Sequence, residues 1–238
     1  PPAPATAGEP GNWSISGFGT AAAARSNRND LIFRSSILQD SGARKEFSAA
    51  PDSALGVQAN FSLNPDLTAS LQGVSRQWTG ESYAPHITLA MLRYQLLPDL
   101  SLRVGRTRLP FFMLSDSLNL NYANPWVRPP VEVYTLGVFA DLDGIDALYS
   151  TSVGAVDVEM QVFGGRSNID IPDGNAKLRQ ARGAKLGLTY GGLSLQFTHT
   201  AARLDLFWGD PGFTRLVSAL QASPFAAVAN DLSGSGSP

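Results

Sequence analysis

Residues Leu55–Gly73 read LGVQANFSLNPDLTASLQG, and this stretch decides the fold. Apolar side chains alternate with Gly, Gln, Asn and Ser as far as Leu63, and the alternation resumes at Leu67. Because successive side chains of a β-strand point to opposite faces, this period of two predicts two strands, each apolar on one face and polar on the other. The proline-containing segment Asn64–Asp66 between them predicts a tight turn, so the stretch is a β-hairpin.

The same alternation predicts seven further strands, which gives nine in all. They lie at residues 13–22, 85–97, 100–109, 145–149, 156–163, 184–190 and 193–200. The strand at 85–97 leaves two assignments of its faces open, because apolar residues change parity between its first and second halves. A β-bulge in this strand would reconcile the two halves.

The connections between these strands alternate in length. Tight turns are predicted around Pro65, Pro98, Gly154 and Gly191. The intervening connections are longer, at residues 23–53, 110–143, 165–183 and from 205 onward, with 78–84 as the short exception. Tight turns at one end and long loops at the other are typical of transmembrane β-barrels.

The composition favours the same class. Only 16% of the 238 residues are charged, against about 25% in an ordinary soluble domain, while 43% are hydrophobic. A net charge of −2 argues against a nucleic-acid partner, and the absence of cysteine excludes a disulfide scaffold and a thiolate metal site. The predicted fold class is therefore all-β, an antiparallel transmembrane β-barrel.

Two other classes of protein need consideration. A soluble or surface-exposed β-sandwich that binds carbohydrate or protein would also alternate apolar and polar residues, with Trp78, Trp126 and Trp208 as candidate binding platforms, and this alternative stays open. We do not expect an enzyme, because His86 and His199 are isolated and belong to no catalytic or metal-binding spacing. The sequence predicts no catalytic residue, no metal site and no cofactor.

A family resemblance is carried by the stretch Arg103–Tyr134, RVGRTRLPFFMLSDSLNLNYANPWVRPPVEVY. Together with WSISGFGT at Trp13–Thr20 and YQLLPDLSLRVGR at Tyr94–Arg106, it resembles Gram-negative outer-membrane porins of the proteobacterial general-porin type, over about residues 13–200. The resemblance implies a 16-stranded porin-like barrel in the cell outer membrane, a homotrimer, and a third external loop that folds inward and narrows the pore.

The resemblance also implies a function and a set of partners. The expected function is a water-filled channel for passive diffusion of small hydrophilic solutes and ions, in contact with membrane lipid and lipopolysaccharide. Nine strands correspond to the N-terminal part of such a barrel. The expected organisation is a flexible N-terminal segment at 1–12, barrel strands at 13–204 with the inward-folded loop 110–143, and an external loop or truncated, flexible C-terminal segment at 205–238.

Strand parity selects the charged residues that would line the pore. If Leu102 and Val104 face lipid, Arg103 faces the lumen, where Arg93 lies across the Pro98 hairpin. We hypothesise a transverse field, with an arginine wall facing acidic residues at the constriction; the alternative, that these charges only solvate the lumen or pair structurally, stays open. The predicted pore-lining residues are Arg76, Arg93, Arg103, Arg106, Arg108, Asp116, Arg128, Glu132, Asp143, Asp146 and Glu159.

Overall fold

Nine antiparallel strands form one sheet in the computed structural model, which describes residues 12–115, 130–134, 138–209 and 211–232. Each strand pairs with the next along the chain. The strands are β1 Trp13–Thr20, β2 Ala54–Asn64, β3 Leu67–Arg76, β4 His86–Leu97, β5 Leu100–Arg108, β6 Asp141–Val153, β7 Val156–Ile171, β8 Gly174–Tyr190 and β9 Leu193–Trp208. The helices are a 3₁₀ turn at Thr79–Glu81, α1 Val131–Tyr134, α2 Pro211–Gln221 and α3 Ala226–Leu232.

The predicted all-β fold class is confirmed, as an open sheet that forms part of a barrel. Within the described residues β1 and β9 each pair on one side only, so they are the two edges of the sheet. A β-sandwich needs two sheets packed face to face. Since all nine strands belong to one sheet, the sandwich alternative does not describe this chain.

The two faces of the sheet differ in polarity as the alternation predicts. On β2, Leu55, Val57 and Phe61 are 63%, 51% and 43% exposed, while Gln58 and Asn60 lie on the opposite, partly covered face. The exposed apolar face continues across the sheet with Ile15, Leu71, Leu92, Tyr94, Val104, Ile145, Met160, Val162, Tyr190, Leu195 and Phe197. A barrel presents such a face to lipid.

The predicted tight turns agree with the structure, whereas the long connection predicted at 165–183 does not. The four predicted tight turns are present, and the register between β3 and β4 shifts at Gln72/Gly73, as the proposed bulge requires. The long connection predicted at 165–183 is wrong, because β7 extends to Ile171, β8 begins at Gly174, and the two strands pair along this length. Polar residues interrupt the alternation of apolar and polar side chains in this segment, but they do not prevent backbone pairing.

The chain beyond residue 204 contains regular elements. Residues 205–208 continue β9, and most of 211–232 is helical in α2 and α3; the assignment of 205–238 to an external loop or a flexible segment stays a prediction. No helix in the described ranges has both the length and the apolar character needed to cross a bilayer. The predicted flexible segment 1–12 lies outside the described residues, apart from Asn12.

A compact apolar cluster covers one end of the polar face. Leu109, Leu142 and Phe163 are buried there together with Phe139, which lies just before β6. The segment after β5 continues across the sheet, because the carbonyl of Pro110 accepts hydrogen bonds from the side chains of two β9 residues, Gln196 at 3.4 Å and Thr198 at 3.2 Å.

Glycine is required within β5. Gly105 has a φ of 119°, and a Cβ added there would lie 2.3 Å from the carbonyl oxygen of Ala90 on β4. Its register partner Gly144 is similarly crowded, with the carbonyl oxygen of Gly164 at 2.1 Å from an added Cβ. Glycine within a strand is common where neighbouring backbones approach closely, and this applies to both positions.

We predict that Gly105→Ala destabilises the sheet by about 1–3 kcal/mol, because alanine would be strained at this φ and would clash with β4. The matched control is Gly73→Ala on β3, where an added Cβ meets nothing within 4 Å. Urea unfolding in detergent micelles, followed by tryptophan fluorescence, measures both variants. Equal unfolding midpoints for the two variants would show that Gly105 is not constrained.

Candidate functional site: the polar face and its cavity

A chain of hydrogen bonds crosses the polar face from β2 toward β6. Gln58 donates to Asn60 at 3.1 Å, and Gln72 on β3 donates to Gln58 at 2.9 Å. The Oε1 atom of Gln72 then accepts from Thr88 on β4 at 2.8 Å and from Arg108 on β5 at 3.0 Å. Gln72 and Thr88 are almost fully buried, so these bonds satisfy polar groups that water does not reach.

Three ion pairs join β5 to β6, and each joins direct register partners. They are Arg103–Asp146 at 2.6 Å, Arg106–Asp143 at 2.7 Å and Arg108–Asp141 at 2.5 Å. The Arg106 pair is bidentate, with a second bond of 2.9 Å from Nη2 to Asp143 Oδ2. In the Arg103 pair the Asp146 side chain is 0% exposed.

This pairing bears directly on the hypothesis of a transverse field. The hypothesis set arginines and carboxylates against each other across a lumen, whereas the structure places them side by side on adjacent strands. The β5–β6 connection runs through the long segment 109–140, so it could not reveal the register that produces these pairs. At β5 and β6 the arginines are therefore paired with carboxylates of the adjacent strand, and the transverse field stays a hypothesis.

Arg106 and Arg108 depart from simple alternation. Both have the parity of the exposed Val104, whereas Arg103 has the opposite parity. Gly105, with its positive φ, separates the two groups, and Arg108 beyond it bonds to Gln72 of the polar face. Parity alone therefore does not place the last residues of β5.

Arg76 and Arg93 have no ion pair within 4 Å among the described residues. Arg93 lies directly opposite Arg103 in the β4–β5 register and bonds to Gln95 at 3.3 Å. Arg76 lies over the ring of Trp78, with its Cζ 5.3 Å from the ring centroid. Of the predicted arginines within the described residues, these two have no carboxylate at contact distance.

A cavity of about 450 Å³ lies where the strand ends meet the first long connection. The hydroxyl of Thr79 helps to enclose it by donating to the carbonyls of Leu38, at 3.0 Å, and Asp170, at 3.2 Å. Trp78 stacks on His86 at its wall, with the ring centroids 4.6 Å apart. Charges of both signs line it: Arg76, Arg106, Arg108, Asp52, Asp141, Asp143 and Asp170.

Glu159 and Glu132 do not line this cavity. Glu159 on β7 forms an ion pair with Lys185 on β8, and Glu132 in α1 is exposed. Asp116 and Arg128, with Trp126 of the sandwich alternative, lie outside the described residues; the side chain of Trp208 is also outside them.

Sequence reasoning missed several residues that the structure brings into the site. Lys185 and Gln72 have the parity of the polar face. Applying the parity argument to uncharged residues would have found Gln72, and applying it to the last strands would have found Lys185. No pattern in the sequence indicates that Asp141 pairs with Arg108, because this pairing depends on the β5–β6 register. Among the described residues, no three side chains of His, Asp or Glu are placed to share a metal ion.

Comparison with known proteins bears on the fold. No protein-family model matches, and no curated protein sequence matches. Solved structures do match. OmpT lacking loop L8, an outer membrane protein of Vibrio cholerae, is 13% identical with a TM-score of 0.35, over 82% of this chain and 70% of that one. OmpT of Vibrio cholerae folded in vitro, in a trimer form, is 12% identical with a TM-score of 0.38, over 82% and 67%.

A third similar structure is the outer-membrane expressed OmpT of Vibrio cholerae, 12% identical with a TM-score of 0.35, over 82% of this chain and 66% of that one. These are outer-membrane proteins of a Gram-negative bacterium. For this chain, the two-faced sheet described above carries the structural argument.

One sequence prediction is corrected. We did not expect an enzyme, because familiar catalytic motifs were missing, but an outer-membrane β-barrel fold leaves an enzymatic activity open. A fold hosts unrelated functions, so a missing motif does not exclude catalysis.

We predict that Arg103→Ala lowers the free energy of unfolding by about 3–5 kcal/mol, because it leaves the carboxylate of Asp146 buried without its partner. The double variant Arg103→Ala/Asp146→Ala should recover part of the loss. Urea unfolding in micelles measures these changes. The control is Arg28→Ala, which breaks the exposed ion pair with Asp30 and should have no measurable effect. If Arg103→Ala changed the free energy of unfolding no more than this control does, the prediction would be contradicted.

Proposed function

We propose that this chain contributes to an outer-membrane porin, a water-filled channel for passive diffusion of small hydrophilic solutes and ions. The observation that carries the proposal is the two-faced sheet, with an exposed apolar face and a face of ion pairs and amide hydrogen bonds. A transmembrane barrel needs both faces, because one meets lipid and the other surrounds water.

The strand order determines how many additional strands a closed barrel needs. β1 and β9 run in the same direction, because eight successive antiparallel pairings separate them. Closure with antiparallel neighbours throughout therefore needs an odd number of additional strands between them. The seven strands that the resemblance to 16-stranded porins implies would meet this condition. The homotrimer implied by the same resemblance stays a prediction.

The segment after β5 supports a constriction. Near its start, the carbonyl of Pro110 accepts hydrogen bonds from Gln196 and Thr198, both on the polar face of β9. Phe139, at the other end of the connection, packs in the cluster with Leu142 and Phe163. These contacts support the proposal that loop 110–143 folds inward and narrows the channel.

The proposal gives different roles to the two groups of arginines. Arg103, Arg106 and Arg108 are neutralised by adjacent carboxylates, so their field falls off quickly with distance. Arg76 and Arg93 have no such partner among the described residues, so they would determine the ion selectivity of the channel. This replaces the uniform arginine wall with two separate positive positions.

Electrical recording tests the proposed function. The purified protein is inserted into planar lipid bilayers, where a porin gives stable, stepwise conductance in KCl, and proteoliposomes swell in isotonic solutions of small sugars. Resistance to protease shows that the protein is inserted. If the inserted protein gives no conductance steps and the liposomes stay impermeable to the sugars, the channel function is refuted.

We predict that Arg93→Glu lowers the permeability ratio of chloride to potassium about two- to three-fold, because it replaces an unneutralised positive charge with a negative one. The reversal potential in a KCl gradient measures the ratio. The matched control is Arg106→Gln/Asp143→Asn, which removes a bidentate ion pair and leaves the net charge unchanged. A larger shift in the control than in Arg93→Glu would contradict the assignment.

A further inference from the structure

The cavity on the polar face is built by parts of the chain that are far apart in sequence. One side is formed by the ends of β3 to β6, and another by the first long connection, with Ser36, Pro51 and Ser53 among its lining residues. The end of β7 contributes Ser167 and Asn168. Ligand sites in proteins have volumes of about 300–1,000 Å³, so a cavity of about 450 Å³ is large enough for a small solute.

The charges of the lining indicate what kind of solute fits. Among the described residues, three arginines and four aspartates line the cavity: Arg76, Arg106, Arg108, Asp52, Asp141, Asp143 and Asp170. A site for a simple anion is positive overall, and this lining is not. A simple cation would leave the guanidinium of Arg76 without an ion-pair partner among these residues. A solute that carries one charge of each sign satisfies both conditions.

Arg76 presents the guanidinium that is available to a carboxylate. Within the part of the chain that the structure describes, it forms no hydrogen bond and no ion pair within 4 Å; Asp52 attracts it only from a longer distance. Its Cζ lies 5.3 Å from the ring centroid of Trp78, which is itself stacked on His86. A cation over an aromatic face is held in place and keeps its N–H donors for a ligand.

Asp141 presents the carboxylate oxygen that is available to an ammonium group. Its Oδ1 atom accepts from Arg108 at 2.5 Å, and no donor among the described residues reaches its Oδ2 atom. Asp143, by contrast, binds Arg106 through both oxygens. Arg108 is close enough to Arg76 for the two guanidinium groups to repel each other. Arg76 and Asp141 therefore both adjoin Arg108, in the lining of one cavity.

We propose that this cavity binds a small zwitterionic solute of the α-amino acid class. Arg76 would bind the carboxylate through two parallel hydrogen bonds, and Oδ2 of Asp141 would accept a hydrogen bond from the ammonium group. The apolar residues Ile87 and Val138 in the same lining would contact the side chain of the solute. The inference rests on the proposed function, because the channel brings the solute to the cavity, and it adds a saturable site to a path of passive diffusion.

Three probes of nearly equal size test the charge requirement. L-lactate replaces the ammonium group of L-alanine with a hydroxyl, and L-alaninol replaces the carboxylate with a hydroxymethyl group. Binding to the full chain in neutral detergent micelles is measured by saturation-transfer NMR titration. We expect L-alanine to bind about ten-fold more tightly than either analogue, because each analogue lacks one charge-assisted hydrogen bond. Equal affinities for the three probes would overturn the inference, as would tighter binding of L-lactate.

A variant of Arg76 tests the carboxylate contact. Arg76→Gln should weaken L-alanine binding about ten-fold without weakening L-alaninol binding, because only the carboxylate loses its partner. The matched control is Arg25→Gln, since Arg25 also lies over an aromatic ring, that of Phe47 at 5.6 Å, but does not line the cavity. This control should bind L-alanine as the unaltered protein does. An unchanged affinity of Arg76→Gln for L-alanine, or an equal loss for both probes, would overturn the inference.

A second variant tests the ammonium contact. Asp141→Asn removes the negative acceptor and keeps the carboxylate contact at Arg76, so L-lactate should then bind at least as tightly as L-alanine. A damaged fold would weaken both probes and would not reverse their order. A ten-fold preference for L-alanine over L-lactate that survives in Asp141→Asn would overturn the inference.

Failure of the inference and failure of the proposed function are distinguishable, because binding in micelles does not depend on conduction. If the inserted protein conducts and the three probes bind with equal affinity, only the zwitterion site is refuted. If L-alanine is preferred and the inserted protein gives no conductance steps, the channel is refuted and the site is retained.

Discussion

A side chain on a β-strand has only two directions, and the rest of this structure depends on that constraint. Nine strands in one antiparallel sheet place leucine, valine and phenylalanine on one face and glutamine, asparagine and charge on the other. In water, the exposed apolar face would be a large cost. In a bilayer it is the favourable surface, and the strand pairing satisfies the backbone groups that lipid cannot.

The polar face shows how buried charge is tolerated. Asp146 is fully buried, and it is accommodated by Arg103 on the neighbouring strand. Removing charges from water is costly, so such a pair needs close geometry, and Arg103 Nε lies 2.6 Å from Asp146 Oδ1. In the Arg108 pair, the arginine also donates a hydrogen bond to Gln72 of the amide network. Pairing also confines the field of these groups, whereas Arg93 has no ion pair among the described residues and bonds to Gln95 instead.

The outward face of the long strands β7, β8 and β9 changes from apolar to charged along the length of each strand. Near the tight turns, their outward residues are apolar, as at Met160 and Leu195. Farther along, the same face carries arginines, and the register shift at Arg179/Arg182 brings them side by side. Backbone pairing continues through this change of polarity, because main-chain hydrogen bonds do not depend on which side chains are attached.

The sequence by itself determined the nine strands, four of the tight turns and the polarity of the two faces, as in Leu55–Gly73, because period two and turn chemistry are local properties; the extension of β7 and β8 through 165–183 was not predicted. It also selected Arg103, Asp143 and Asp146 as important charges. Only the tertiary structure decided that Arg103 pairs with Asp146, since the segment 109–140 between their strands leaves the register free. The cavity was likewise decided by strand pairing across the sheet, which brings together residues far apart in the chain.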